Sequence, residues 1–214
     1  YAAYLKCLKP VEIVTHESVR RRGGGFSTCG CWYTDTEFVL KGLQIMCGIA
    51  GFVNDMPIDV KCPVLQRMTD MIAHRGPDSE GHYIYEHAAL GHRRLSIIDL
   101  GGGQQPIYNE DGSKVITFNG EIYNYQTLRE ELIAAGHTFT TKSDTEVLLH
   151  GYEQWGVDLL QRVRGMFTFV IWDKNKQELF GARDHFGIKP FYYAKMNGTF
   201  MYASEIKSLL RHPD

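Results

Sequence analysis

Met46-Cys47-Gly48-Ile49-Ala50-Gly51 joins a cysteine to a preceding methionine and opens a run of small and β-branched residues. Such a run is typical of a buried strand. If Met46 is an initiator that is removed, Cys47 becomes the first residue and carries its thiol and its α-amino group on the same carbon. Free thiols titrate at a pKa of about 8.5 and α-amines at about 8, so the amine can help to take the thiol proton. The alternative is an internal cysteine buried in the core, the commonest environment of a free thiol.

The composition is that of a globular chain. The 214 residues suffice for one sizeable domain with an appendage, and 43% of them are hydrophobic and 22% charged. The net charge of −2 gives no electrostatic sign of nucleic-acid or membrane binding, and no stretch approaches the roughly 18 apolar residues of a membrane span. The five cysteines are an odd number spread through the chain, which does not suggest a disulfide framework. We therefore expect a reduced, cytoplasmic protein.

The first 46 residues differ from the rest of the chain. Residues 20–25 are three arginines followed by three glycines, and the segment shows neither a helical stripe nor clear strand alternation. Its pair Cys29-Gly30-Cys31 supplies only two of the four ligands that a structural zinc site needs. The basic run is more typical of a solvated loop than of a nucleic-acid site. We expect residues 1–46 to be an unstructured or non-native extension that is not part of the mature functional protein, and residues 47–214 to be the functional domain.

From residue 47 onward the hydrophobic pattern is regular. The predicted strands are 47–53, 81–85, 88–93, 114–118, 166–172, 178–182, 191–195 and 199–202. The predicted helices are 62–73, 124–135 and 205–211. A further helix is capped by Ser143 or Asp144 and runs through Trp155. Hairpins outnumber strand–helix–strand units, and Asn197-Gly198 is the strongest short hairpin signal. Two antiparallel sheets, each covered by helices on its outer face, would bury all the hydrophobic stripes. The sequence therefore predicts an α+β fold, a four-layer αββα sandwich of two antiparallel sheets.

Four further residues, Asn119, Gly120, Arg94 and Asp144, are candidates for acyl-transfer chemistry at Cys47. The amide side chain and the glycine N–H of Asn119-Gly120 could converge on a developing oxyanion, although this dipeptide is also a common turn. Arg94 follows a strand and could bind a carboxylate through two hydrogen bonds or form only a surface ion pair. Asp144 could hold an ammonium group or cap a helix. Each position keeps two interpretations on its own.

The order of the motifs along the chain is far more specific than any one of them. In chain order they are Met46-Cys47-Gly48-Ile49-Ala50-Gly51, His74-Arg75-Gly76-Pro77-Asp78, Arg94-Leu95-Ser96-Ile97-Ile98-Asp99, Gln105-Pro106, Phe118-Asn119-Gly120-Glu121-Ile122-Tyr123-Asn124, Ser143-Asp144-Thr145-Glu146, Gly165-Met166-Phe167, Arg183-Asp184-His185-Phe186-Gly187-Ile188-Lys189-Pro190 and Ala203-Ser204-Glu205-Ile206-Lys207. Residues 47–214 closely resemble the glutaminase domain of the class II, N-terminal-nucleophile (Ntn) glutamine amidotransferases, specifically that of the glutamine-hydrolysing asparagine synthetases. Other class II members share the cysteine but resemble residues 94–99 and 183–190 less well.

The resemblance implies the Ntn-hydrolase form of the αββα sandwich and the hydrolysis of glutamine to glutamate and ammonia. Cys47 would attack the side-chain amide of glutamine and form a glutamyl thioester. The resemblance also places Asn119 and Gly120 in the oxyanion hole. It implies that Arg94 binds the α-carboxylate of glutamine and that Asp144 and Glu121 bind its α-amine. The backbone of Leu95, Ser96, Ile97 and Ile98 would line the pocket, and Arg75 would lie on a flanking loop.

The resemblance also implies partners and cofactors. Ammonia would serve the ATP-dependent conversion of aspartate to asparagine in a C-terminal synthetase domain that is missing from this chain. No metal or cofactor is expected for the glutaminase half, ATP and Mg²⁺ belong only to the synthetase domain, and a homodimer is left open. Two alternatives remain: the ammonia serves a different acceptor, or the chain binds glutamine without turnover because the preceding 46 residues block Cys47.

Overall fold

The computed structural model describes residues 3–7, 46–95 and 103–214, and within them ten strands form two five-stranded antiparallel sheets. The first sheet has the order β1 (Ala3–Cys7), β8 (Glu178–Arg183), β7 (Gly165–Asp173), β6 (Lys114–Ile122) and β5 (Ile107–Tyr108). The second has the order β3 (Ser79–Ile84), β4 (Ala88–Arg94), β2 (Gly48–Val53), β10 (Thr199–Ala203) and β9 (Tyr192–Met196). The strand that follows Cys47 therefore lies in the middle of its sheet.

Helices cover the outer face of each sheet. They are α1 (Ile58–Asp70), α2 (Tyr125–Ala134), α3 (Asp144–Trp155), α4 (Leu159–Arg162) and α5 (Ile206–Leu209), with a 3₁₀ turn at Gly156–Asp158. Apolar residues of α1 pack on β2, β4 and β10 of the second sheet, and those of α2, α3 and α4 pack on the first.

The strand β7 shows why the sheets stack face to face. Because side chains alternate across a strand, its residues divide between two faces. Phe169 and Ile171 belong to the cluster under the helices, whereas Val170 and Trp172 belong to the cluster between the sheets. The layers therefore run helix, sheet, sheet, helix, and the predicted αββα sandwich is confirmed.

Two predicted boundaries differ from the structure by four residues. The first helix begins at Ile58 rather than at residue 62, directly after Pro57, whose φ of −57° suits the start of a helix. The strand predicted to end at residue 118 continues to Ile122. In contrast, Asn197 and Gly198 have φ values of 47° and 82° and form the predicted turn between β9 and β10.

The expected lack of regular structure in residues 1–46 does not hold at β1. This segment pairs with β8, from Ala3 opposite Arg183 to Cys7 opposite Leu179. A strand at the edge of a sheet offers unpaired N–H and C=O groups, which any extended segment can satisfy whatever its side-chain pattern. The Cys29-Gly30-Cys31 pair lies outside the described residues, and the absence of the extension from the mature protein stays a prediction.

A search of the described residues for a helix with the length and apolar character of a membrane span finds none.

Candidate functional site

Cys47 lies immediately before β2 and is half-buried rather than enclosed in the core. Its Sγ accepts a hydrogen bond from the backbone N–H of Leu95 at 3.4 Å and lies 3.7 Å from the carbonyl oxygen of the same residue. Its own carbonyl oxygen accepts a hydrogen bond from Nε of Arg75 at 3.3 Å. Both the sulfur and the main chain of Cys47 are therefore held by residues from other segments, while the side chain keeps access to solvent.

Arg75 follows α1 and is only 6% exposed. Its Nη1 lies 3.2 Å from Oε1 of Glu205, and its Nη2 is buried with no hydrogen-bond partner among the described residues. Burial raises the pKa of Glu205, but hydrogen bonds from Lys207 and Arg75 outweigh burial and hold this pKa below its usual range. Arg75 thus connects the main chain of Cys47 to the residue that precedes α5, which is a more direct contact than the flanking position expected from sequence.

Asn119 and Gly120 lie inside β6, opposite Thr168 and Phe167 of β7, and do not form a turn. A Cβ at Gly120 would collide with the carbonyl oxygen of Met166, so the close approach of β7 requires glycine here. Asn119 is 2% exposed, and its side-chain Nδ2 has no hydrogen-bond partner among the described residues. A buried donor without a partner costs about 1–3 kcal/mol, so a donor of this kind calls for a functional explanation.

His92 links the Cys47 strand to the Asn119 strand. It lies on β4 opposite Ile49 of β2, and its Nε2 is 3.1 Å from the carbonyl oxygen of Phe118 on β6. Burial lowers the pKa of His92 to about 4, so the imidazole is neutral at pH 7 and its Nε2–H donates to this carbonyl. Gln105 Nε2 donates to the same oxygen at 3.1 Å, and its Oε1 accepts from Phe118 N at 2.6 Å. The backbone just before Asn119 is thereby fixed by His92 of the second sheet and by the loop that precedes β5.

Two carboxylates lie together at the end of β6. Asp144 is the first residue of α3, but Ser143 is the N-cap, since its Oγ accepts the N–H of Thr145 at 3.0 Å. Asp144 Oδ2 instead accepts the N–H of Ile122 at 3.0 Å. Burial raises the pKa of Asp144, and the negative charge of Glu121 raises it further, against the effect of the Ile122 hydrogen bond. A cation bound between these two groups would relieve their repulsion.

Arg94 ends β4 and is half-buried. A Cβ on Gly103 would lie 3.8 Å from Nη2 of Arg94 and 3.9 Å from Oγ of Ser143. The guanidinium therefore extends toward the residue that precedes Asp144, which brings the predicted cation and the predicted anion near each other. Of the predicted pocket backbone, Leu95 contacts Cys47, while Ser96, Ile97 and Ile98 lie outside the described residues.

Asp184 has a role that sequence reasoning missed. It follows β8, is 4% exposed, and organises the loop 184–190 around its carboxylate. The carboxylate accepts backbone N–H groups of four residues at 3.0–3.3 Å: Phe167, Phe186, Ile188 and Lys189. Burial raises the pKa of Asp184, but these hydrogen bonds outweigh burial and lower it below its usual range. The loop conformation therefore depends on one buried anion.

Lys189 lies in the loop 184–190, close to the residues around Cys47. It is 4% exposed, and its Nζ lies 2.8 Å from Sδ of Met46. Burial lowers the pKa of Lys189, and the charges of Cys47 and Glu121 oppose this effect while that of Arg75 adds to it. Residues 183–190 are one of the ordered motifs, but no local period or spacing indicates that their lysine lies within electrostatic reach of Cys47.

One group of side chains among the described residues has the composition of a metal site. Glu110, His137 and His150 each offer one ligand atom, and these atoms lie within 4.8 Å of one another. His150 is six residues along α3 from Asp144, a distance of about 9 Å on the helix axis. The group therefore contains none of the residues predicted for the site at Cys47.

Comparison with known proteins assigns the domain. Residues 46–214 match the family model of the glutamine amidotransferase domain. Asparagine synthetase [glutamine-hydrolyzing] 1 of Bacillus subtilis is 51% identical over 168 residues, which are 77% of this chain and 27% of that protein. Amidase chry2 of Gibberella zeae is 40% identical over 179 residues, 77% of this chain and 26% of that protein. This chain thus spans about a quarter of the length of these curated relatives.

A solved structure supports the fold. Glutamine phosphoribosylpyrophosphate amidotransferase from B. subtilis superimposes with a TM-score of 0.63 at 21% identity, covering 76% of this chain and 43% of that chain. At this identity the match concerns the fold alone. The αββα sandwich predicted from the hairpins and the ordered motifs is thus found in an amidotransferase as well.

Proposed function

Because the chain belongs to the glutamine amidotransferase domain family, we propose that it hydrolyses glutamine to glutamate and ammonia with Cys47 as nucleophile. The sulfur attacks the side-chain amide carbon, and the tetrahedral intermediate collapses to a glutamyl thioester as ammonia leaves with a proton. Water then attacks the thioester, releases glutamate and restores the thiol. The covalent thioester intermediate thus divides one difficult reaction step into two easier ones.

The observation that carries this proposal is the unpartnered Nδ2 of Asn119. An amide carbonyl that becomes tetrahedral needs donors that are already in place and aimed at its oxygen. Asn119 supplies such a donor in a buried position, and the hydrogen bonds to Phe118 from His92 and Gln105 restrict its movement. With Gly120 it is our candidate for the oxyanion hole.

The charges around the site suit the free amino-acid end of glutamine. We assign the α-carboxylate to Arg94 and the α-ammonium to Asp144 and Glu121, with the backbone from Leu95 through Ser96, Ile97 and Ile98 along the pocket. A zwitterion needs one fixed cation and one fixed anion, and the mutual repulsion of Asp144 and Glu121 is relieved by a bound ammonium. Arg75 positions the main chain of Cys47 rather than the substrate.

The mechanism needs the α-amine of Cys47, which is amide-bonded while Met46 precedes it. We therefore propose that removal of the residues through Met46 activates the domain. The test compares glutamate release by the 214-residue chain with release by a chain that begins at Met46 and loses this methionine during expression. Cys47→Ala in the shorter chain is the control. We expect turnover and a glutamyl mass adduct only in the shorter chain that retains Cys47.

Two results would contradict the proposal. Equal glutamate release by Cys47→Ala and by the unsubstituted chain would exclude Cys47 as the nucleophile. Glutamine binding without hydrolysis by both lengths of chain would favour the alternative, a module that binds glutamine but does not turn it over. Intact-mass analysis of each preparation establishes which residue is first.

We further propose that the ammonia serves ATP-dependent conversion of aspartate to asparagine in a synthetase domain beyond this chain. The support is the identity to a protein named asparagine synthetase, although an amidase is also similar. ATP and Mg²⁺ would then act only in that domain, and the glutaminase half would need no cofactor. The full-length protein, assayed with ammonia and with glutamine on aspartate, separates this acceptor from any other.

A further inference from the structure

We propose that Glu110, His137 and His150 form a binding site for a divalent transition-metal ion, with Zn²⁺ as the best match, that joins three segments away from Cys47. Glu110 follows β5, His137 follows α2, and His150 lies in α3. One ligand atom from each lies within 4.8 Å of the other two. Two imidazoles and one carboxylate are a recurrent zinc ligand set, with water in the fourth position.

The distances need little adjustment to hold an ion. Three atoms within 4.8 Å of one another surround a centre no more than about 2.8 Å away, and zinc takes nitrogen and oxygen ligands at about 2.0–2.2 Å. Each ligand atom would therefore move inward by less than about 1 Å. Nδ1 of His150 already lies 3.8 Å from Oε2 of Glu110, close to the spacing of neighbouring ligands in a tetrahedral site. The Glu110 side chain is 46% exposed, which leaves it free to rotate toward the ion.

The other ring nitrogen of His137 is oriented for metal binding at Nδ1. Its Nε2 lies 3.1 Å from Oε1 of Gln154, a carbonyl oxygen that can only accept. Nε2 therefore carries the hydrogen, and Nδ1 keeps its lone pair. A histidine that ligates a metal usually donates its second N–H in this way, which fixes the tautomer and the ring orientation.

His150 approaches Glu110 through Nδ1, at 3.8 Å from Oε2. It is 1% exposed, and its Nε2 has no hydrogen-bond partner among the described residues, although Oε1 of Glu146 lies 3.7 Å away. Its Nδ1 is 2.8 Å from Oε2 of Glu153. A metal at Nδ1 would replace this hydrogen bond and leave the proton on Nε2, which faces Oε1 of Glu146. The Glu153 carboxylate also lies 3.9 Å from Nδ1 of His137, so it borders both imidazoles.

The competing explanation is a protonated His150 that pairs with the surrounding carboxylates without any metal. Glu110, Glu146 and Glu153 all approach its ring. That explanation accounts for the carboxylates and places a hydrogen on Nε2 of His150 facing Glu146. It gives no role to the orientation of His137, whose Nδ1 keeps a lone pair at the same group of ligand atoms.

The test is a titration of the 214-residue chain with Co²⁺, which has visible bands that report its geometry, followed by competition with Zn²⁺. Cysteine thiolates also bind both ions, but a thiolate ligand adds a charge-transfer band that imidazole and carboxylate ligands do not give. We expect one equivalent of tetrahedral Co²⁺ without that band, displaced by Zn²⁺, and a higher midpoint of thermal unfolding when Zn²⁺ is saturating.

The variants decide the assignment. His137→Asn and Glu110→Gln should each weaken Zn²⁺ binding at least about tenfold and remove its effect on thermal unfolding. His87→Asn is the matched control, because it removes an imidazole that pairs with two other carboxylates, Asp55 and Glu86. Glu110 is exposed, so Glu110→Gln keeps the test valid if His137→Asn fails to fold. The proposal would be overturned if Glu110→Gln bound Zn²⁺ as tightly as the unsubstituted chain does. It would also be overturned if all Co²⁺ bound by the unsubstituted chain showed the charge-transfer band of a thiolate ligand.

Discussion

Protonation of the neutral, buried His92 should destabilise this fold as the pH falls. Its pKa in the fold is about 4, against 6.5 for an ordinary histidine, and burial is the main cause. Between these two values the unfolded chain binds a proton that the folded chain excludes, so stability is lost as the pH falls from above 6.5 toward 4. At about 1.4 kcal/mol per pKa unit, the full loss is about 3 kcal/mol, of which about 2 kcal/mol is reached by pH 5.0.

The substitution His92→Gln isolates this contribution. A glutamine amide can reach the position of Nε2 and donate to the carbonyl oxygen of Phe118, but it cannot take up a proton in this range. We expect the fall in unfolding free energy between pH 7.5 and pH 5.0 to be about 2 kcal/mol smaller in His92→Gln than in the unsubstituted chain. All other titrating groups are common to both proteins, so their contributions cancel.

Urea unfolding followed by tryptophan fluorescence at the two pH values measures both free energies. The control is His185→Gln, which removes an exposed imidazole and reports the effect of the substitution itself. An equal loss of stability in His92→Gln and in the unsubstituted chain would refute the reasoning. It would mean that the imidazole takes up its proton at the same pH in the folded and in the unfolded chain.

Three further outcomes test the site. Asn119→Ala should lower kcat for glutamine hydrolysis about 10²–10³-fold with little change in KM, because the substitution removes a donor that acts on the developing oxyanion. An unchanged kcat for glutamate release would exclude Asn119 from the oxyanion hole. Arg94→Ala should mainly raise KM for glutamine, because the α-carboxylate is bound equally before and during the reaction; a lower kcat at unchanged KM would contradict this assignment. Asp184→Asn should increase hydrogen exchange at the amides of Ile188 and Lys189 about tenfold or more, because a neutral side chain accepts their hydrogen bonds less strongly. Unchanged protection, measured by mass spectrometry, would show that the loop is held by other contacts.

The Asn-Gly dipeptide occurs twice and shows where sequence reasoning reaches its limit. Asn197-Gly198 forms the predicted hairpin turn, because the flanking strands pair directly across two residues. Asn119-Gly120 has the same local preference but lies in mid-strand, because β7 pairs with it from more than forty residues away. The identity of the dipeptide cannot distinguish the two cases. The long-range pairing decides between them, and that pairing also converts a candidate turn into a buried amide donor.

The contacts that sequence reasoning missed are of the same long-range kind. His92 is linked to Phe118 across the gap between the sheets, and Lys189 reaches Met46 over 143 positions. The hydrophobic pattern predicts the layers because every strand contributes to it. The ordered motifs predicted Cys47, Arg94 and Asp144 as site residues, but no pattern states which polar side chain will satisfy which backbone group.

The pairing of β1 with β8 has a consequence for any shortened form of this protein. A chain that begins at Met46 lacks Ala3–Cys7, and the backbone groups of Leu179–Arg183 that faced them then lie along an open margin. Such a margin is a template onto which a second molecule can add its own strand. The truncation that we propose for activation would therefore also increase the tendency to self-associate, and sedimentation velocity of the two chain lengths at several concentrations would reveal it.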